Sequence, residues 1–110
     1  MTSDFTRKTR LCADYLRSVL QDSRETPADA KDSRFRDWQT ATYEESGFLD
    51  TGDFFAVYEK CRDKAPDMLT SNEVRGCITF LLRQMRYEYP PYSCIENGEL
   101  LALLERWLEL

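Results

Sequence analysis

Apolar residues recur along this chain at the 3.6-residue spacing of amphipathic helices, and strand-like alternation never runs beyond a few residues. From Ser3 to about Arg24, Phe5, Cys12, Tyr15, Leu16, Val19 and Leu20 form one stripe, with Arg7, Arg10, Asp14 and Arg17 opposite. The stretch from Ser23 to Asp32 contains Pro27 and little apolar content, and predicts a loop. A second helix, capped by Ser33, carries Phe35, Trp38 and Thr42 and stops at Gly47, which can take up the left-handed C′ conformation. Asp50 or Thr51 is placed to cap a third, with Phe54, Val57, Tyr58 and Cys61 on its stripe, and Pro66 ends it by disfavouring helical geometry at Ala65.

The strongest start signal follows. Thr70 with Glu73 three positions on reads as a capping box, opening a fourth helix to about Glu88. Its stripe of Val74, Ile78, Leu81 and Met85, flanked by Cys77 and Leu82, predicts a helix central to the core, ended by Pro90 and Pro91. Between Tyr92 and Gly98 there is room for a short helical turn, closed by the positive-φ pair Asn97-Gly98. A last helix carries Leu100, Leu103, Leu104 and Trp107, widened by Leu101 and Leu108. The expectation is an all-α protein: residues 1–110 as a single compact domain of about five helices, a bundle or orthogonal array.

Composition agrees with a globular fold: 42% hydrophobic and 32% charged residues over 110 positions are enough for one core without metal or disulfide staples. The net charge of −5 opposes binding to nucleic acid or anionic membrane and favours a protein partner with a basic surface. No apolar run reaches the length of a membrane span and no apolar leader core opens the chain, so a cytoplasmic location is expected. The four cysteines, Cys12, Cys61, Cys77 and Cys94, are scattered and read as buried thiols; if any is exposed, Cys94, beside the Pro-Pro break, is the one to suspect.

Familiar catalytic chemistry finds no foothold. The chain has no histidine, which removes the usual general base, the common nucleophile pairs and the commonest transition-metal ligand. Its glycines, Gly47, Gly52, Gly76 and Gly98, are isolated, so no phosphate-cradling loop is present. Glu44-Glu45 and Asp50-x-x-Asp53 are the densest carboxylate pairs; neither has the spacing of a calcium loop, and helix capping with solvation accounts for both. No catalytic, metal or cofactor residue is assigned and no cofactor is expected.

The distinctive pattern lies on the fourth helix. Arg75, Arg83 and Arg86 fall within an arc of about 80° beside the buried stripe, and Phe80 and Tyr87 lie on a further arc. Tyr89 and Tyr92 follow around the Pro-Pro break. Arginine and aromatics are the residue classes enriched at protein interfaces, so Arg75, Phe80, Arg83, Arg86, Tyr87, Tyr89 and Tyr92 form the candidate protein-binding patch. The competing reading is burial on both sides of the helix, with the guanidinium groups paired to acidic loops.

The C-terminal half resembles a family of small bacterial and phage-associated proteins known only as a domain of unknown function. The matching stretches are Ile78 to Leu82, then Arg83-Gln84-Met85-Arg86-Tyr87, Ile95-Glu96-Asn97-Gly98, and Leu100 to Leu108 with Arg106; Trp38-Gln39 echoes a tryptophan feature upstream. Where that family continues with a glycine-containing segment, this chain has Tyr89-Pro90-Pro91-Tyr92. The resemblance implies a helical fold and a microbial origin, and no activity. The expected function is a non-catalytic protein-binding or regulatory module; a small acidic phage-linked protein is suited to inhibiting a host defence complex by occupying a basic nucleic-acid channel. The alternatives are a histidine-free enzyme using carboxylate, arginine or cysteine chemistry, and a nucleic-acid binder acting through the basic face of the first helix.

Overall fold

The computed structural model describes residues 4–21, 32–44, 52–85 and 93–110, and within them the secondary structure is helical throughout. The elements are α1 (Asp4–Gln21), α2 (Ser33–Glu44), α3 (Phe54–Cys61), a 3-10 turn (Pro66–Met68), α4 (Ser71–Gln84), α5 (Ser93–Glu96) and α6 (Glu99–Glu109). The short α5 is the helical turn for which the sequence leaves room. A radius of gyration of 13.1 Å is that of one compact domain of this length.

Local chemistry sets the helix boundaries, with three departures from the expected positions. Asp32, rather than Ser33, caps α2: its Oδ1 accepts from the Arg34 N–H at 2.8 Å, which a longer carboxylate one residue upstream can reach. Asp53, rather than Asp50 or Thr51, caps α3, because Gly52 at φ 68° turns the chain one residue before it and aims its carboxylate at the Ala56 N–H, 3.0 Å away. At the other end α3 stops at Cys61, well before Pro66; the proline holds Ala65 extended at ψ 136° and then opens the 3-10 turn.

The capping box at α4 forms with both reciprocal bonds, Thr70 N–H to Glu73 Oε1 at 2.9 Å and Glu73 N–H to Thr70 Oγ1 at 3.3 Å. Gly98 adopts φ 82° as the Asn97-Gly98 pair requires, and Asn97 Oδ1 accepts from the Glu99 N–H. The C-terminal parts of the expected second and fourth helices, Gly47 and Arg86 to Glu88, lie outside the described residues, as do Asp50 and Thr51.

Packing follows the stripes. Phe5, Cys12, Tyr15, Leu16 and Val19 of α1 are buried, as are Phe35, Trp38 and Thr42 of α2, Val74, Ile78 and Leu81 of α4, and Leu100, Leu103 and Leu104 of α6. Leu20 departs from expectation: it lies in the last turn of α1, is 42% exposed, and its end merely leans over the Gly98 turn. Three threonines, Thr9, Thr42 and Thr79, are buried because each hydroxyl bonds the carbonyl four residues back in its own helix, at 2.7 Å in all three. Among the described residues, the indole N–H of Trp38 is the one buried side-chain polar atom without a hydrogen-bond partner.

The helices pack in the order α2, α1, α6, α4, α3. Helix α6 therefore joins the two halves, meeting α1 on one side and α4 on the other, and it also carries α5 and the 3-10 turn. The helix expected to be central, α4, is buried on two sides but holds its place through α6. Arg106 secures the 3-10 turn to α6 by donating from Nε to the Leu69 carbonyl at 2.9 Å.

Candidate functional site

Helices α3 and α4 run antiparallel, and their contacts form a ladder. Cys61 meets Glu73, Val57 meets Gly76, Tyr58 and Phe55 meet Phe80, and Phe54 meets Arg83. The α4 positions in this ladder, 73, 76, 80 and 83, recur at helical spacing on the arc away from the core stripe. This second arc carries Phe80, the aromatic residue of α4, to the side that faces α3.

Gly76 permits the close approach. A Cβ there would stand 2.7 Å from Val57 Cγ1 and 3.0 Å from Val57 Cβ, so a side chain would push the helices apart. One end of the ladder is polar. The Cys61 thiol and Lys64 both donate to Glu73 Oε2, at 3.1 and 3.3 Å, while the other carboxylate oxygen caps the helix. The Thr70 N–H, the Cys61 thiol and Lys64 together hold the Glu73 carboxyl down to about 2.

The other end is aromatic. Phe80 stacks on Tyr58 with ring centres 3.9 Å apart and planes at 11°, and Phe55 tilts against it at 5.8 Å. Tyr58 is further fixed by its hydroxyl, which donates to Glu99 Oε1 at 2.6 Å and so ties α3 to α6. Burial, then the bond to Glu99 and its charge, push the Tyr58 phenol above its ordinary value, so it stays a donor. Arg83 is exposed and sets its guanidinium 4.8 Å over the Phe54 ring, while Phe55 is 56% exposed.

Of the seven patch residues read from sequence, Arg75, Phe80 and Arg83 are described; Arg86, Tyr87, Tyr89 and Tyr92 lie outside the described residues. Phe80 and Arg83 come together under the start of α3. Arg75 does not join them: it is half-buried, Nη1 lies 3.5 Å from Asn72 Oδ1, and eight residues separate it from Arg83, about 12 Å along a helix. Phe80 is a partly exposed interhelical packing residue, and the exposed aromatic surface beside it is supplied by Phe55, with Phe54 beneath Arg83. Sequence reading missed Phe55; the signal was the Phe54-Phe55 tandem, of which a single stripe can bury only one.

Other candidate chemistry fares differently. All four thiols are buried, as read from the sequence, and this includes the suspected Cys94 at 4% exposure, which sits in α5 packed on α1 and α6. Burial pushes up the Cys12 thiol; Cys61 rises through burial and its bond to Glu73; Cys77 is pushed up to about 12, chiefly by burial. A cavity of about 80 Å³ between α3, α4 and α6 is lined by Tyr58, Cys61, Leu69, Cys77, Glu99 and Leu103. An open groove beside the 3-10 turn carries Asp67, Glu105, Arg106 and Glu109.

Asp53 is a helix cap, as the solvation-and-capping reading of the acidic pairs requires, and no group of three or more metal-ligating side chains gathers among the described residues. The basic face of α1 is largely neutralised within the fold. Arg7 and Lys8 pair with Asp4 at 2.6 and 3.2 Å, and Arg17 pairs with Asp14 at 2.7 Å and Glu105 at 3.6 Å. No helix among the described residues is long and apolar enough to cross a membrane.

The chain matches no protein-family model, no curated protein and no solved structure.

Proposed function

We propose that this protein is a non-catalytic protein-binding module, and that its contact surface is the aromatic-arginine face where the start of α3 meets the end of α4. The observation that carries this reading is the conjunction of a more than half-exposed Phe55, the partly exposed Phe80 and the exposed Arg83 over Phe54, all on two helices held rigid against each other. Interface energy concentrates in preorganised aromatic and arginine anchors, and this face presents both at little further entropic cost. The net charge of −5 adds a long-range field that speeds approach of a partner whose surface is basic around the contact.

A role as a phage or mobile-element inhibitor of a host defence complex is the form of this function that fits a small acidic chain and agrees with the resemblance read from its C-terminal half. Affinity purification of the tagged full chain from cells that carry its gene tests the reading. A specific protein recovered by wild type and lost with Phe55→Ala or Arg83→Ala supports it; recovery of the same protein by both variants moves the interface elsewhere on the molecule, and no recovery after cross-linking rejects binding.

A further inference from the structure

Resting on the protein-binding reading above, we infer that the face formed by Phe54, Phe55, Phe80 and Arg83 takes an acidic-aromatic segment of its partner: a carboxylate held by Arg83, next to an apolar or aromatic side chain laid on Phe55 and Phe80.

Arg83 decides the carboxylate. No carboxylate among the described residues pairs with it, although the chain contains 20 Asp and Glu residues, and its contact is the Phe54 ring at 4.8 Å. A guanidinium lying on a ring has one face covered and its in-plane N–H groups still open, the geometry that grips a carboxylate with two parallel bonds. The contact with the Phe54 ring reduces the rotamer freedom that arginine would otherwise lose on binding. A lysine would supply the charge without the fork or the stack.

Phe55 and Phe80 decide the neighbouring side chain. Phe55 is 56% exposed and lies 5.8 Å from Phe80 at 53°, so the two rings make a corner rather than a flat sheet. Phe80 is held in place by the Tyr58 ring stacked on it, and Tyr58 is itself held by Glu99. A tilted corner of fixed rings favours an edge-to-face aromatic or a branched aliphatic side chain. The partner's wider surface can be basic, as the whole-chain charge favours, while the segment seated here is acidic and apolar.

Selection of a randomised peptide library on the full chain tests this directly. The enriched peptides are titrated against wild type, Arg83→Ala, Arg83→Lys and Phe55→Ala, with circular dichroism showing that each variant keeps wild-type helicity. Enriched sequences with Asp or Glu beside Phe, Tyr, Trp or Leu are expected. Arg83→Ala then weakens binding by about thirtyfold or more, Arg83→Lys nearly as much, and Phe55→Ala by about tenfold. Enriched peptides without an acidic residue, or binding in Arg83→Ala within about threefold of wild type, overturn the inference and leave the protein-binding reading standing. A library that yields no enrichment overturns the inference, while the protein-binding reading stands or falls on the affinity purification above.

Discussion

Replacing Gly76 with alanine sets two physical effects of known sign against each other at the α3–α4 contact. Gly76 lies inside α4 with ordinary helical backbone, so alanine there gains about 1 kcal/mol of helix propensity. The new Cβ would stand 2.7 Å from Val57 Cγ1 and 3.0 Å from Val57 Cβ, against a comfortable separation near 3.5–4.0 Å. Rotating Val57 relieves the first contact but not the second, because Cβ does not move with χ1. Relief therefore requires α3 to shift by several tenths of an ångström, against the Tyr58–Phe80 stack and the Cys61–Glu73 and Tyr58–Glu99 bonds.

Overpacking of this kind costs about 1–3 kcal/mol, so after the propensity gain the net destabilisation is about 1 kcal/mol. Urea unfolding followed by circular dichroism reads it as a lower midpoint at unchanged slope. In thermal unfolding the midpoint falls by about 4–8 °C. The cycle with Val57→Gly, which removes the Cβ that rotation cannot move, isolates the clash: the double variant recovers about 1 kcal/mol relative to the sum of the single changes. If Gly76→Ala instead raises stability by the propensity gain alone, the two helices do not approach as described, and the aromatic face that depends on that approach falls with it.

Two further outcomes follow from the polar end of the ladder and from the thiols. The folded-state pKa of Glu73 is held at about 2, below the ordinary 4.5, so its stabilisation is fully present above about pH 4.5 and is lost as pH falls towards 2. Glu73→Gln should accordingly be less stable than wild type by about 1–2 kcal/mol at pH 7, and the gap should close in urea titrations taken down to pH 2; a gap that stays constant refutes the assignment. All four cysteines should react with a chromogenic disulfide only as fast as the protein unfolds at neutral pH, since each is buried and those with a resolved shift are raised; one fast thiol in the folded chain would contradict the burial of Cys94 in particular.

The helical fold class was legible in the sequence because amphipathic periodicity and capping chemistry are local. The Thr70–Glu73 box and the positive φ of Gly98 formed where their residue types required, and the buried stripes of α1, α4 and α6 follow from spacing alone. Cap positions one to three residues off, at Asp32 and Asp53, show the resolution of that reading: several short polar side chains can serve, and the turn geometry selects among them. Buried Thr9 and Thr79 could not be read from polarity, because each satisfies its hydroxyl inside its own helix.

The tertiary structure alone decided what faces what. Sequence marked α4 as two-sided, with Phe80 off the main stripe, but not that α3 would cover that side, that Arg83 would lie on Phe54, or that Phe55 would remain outside. It left Cys94 as the one suspect for exposure because of a nearby proline pair, and docking of α5 onto α1 and α6 buried it with the other three. It placed α4 in the core, where its stripe is indeed buried, but did not show that α6 would be the helix joining the α1–α2 and α3–α4 halves. Periodicity specifies which residues of one helix share a face; which other helix meets that face depends on contacts distant in sequence, and a single Cβ-free position such as Gly76 can determine how closely they meet.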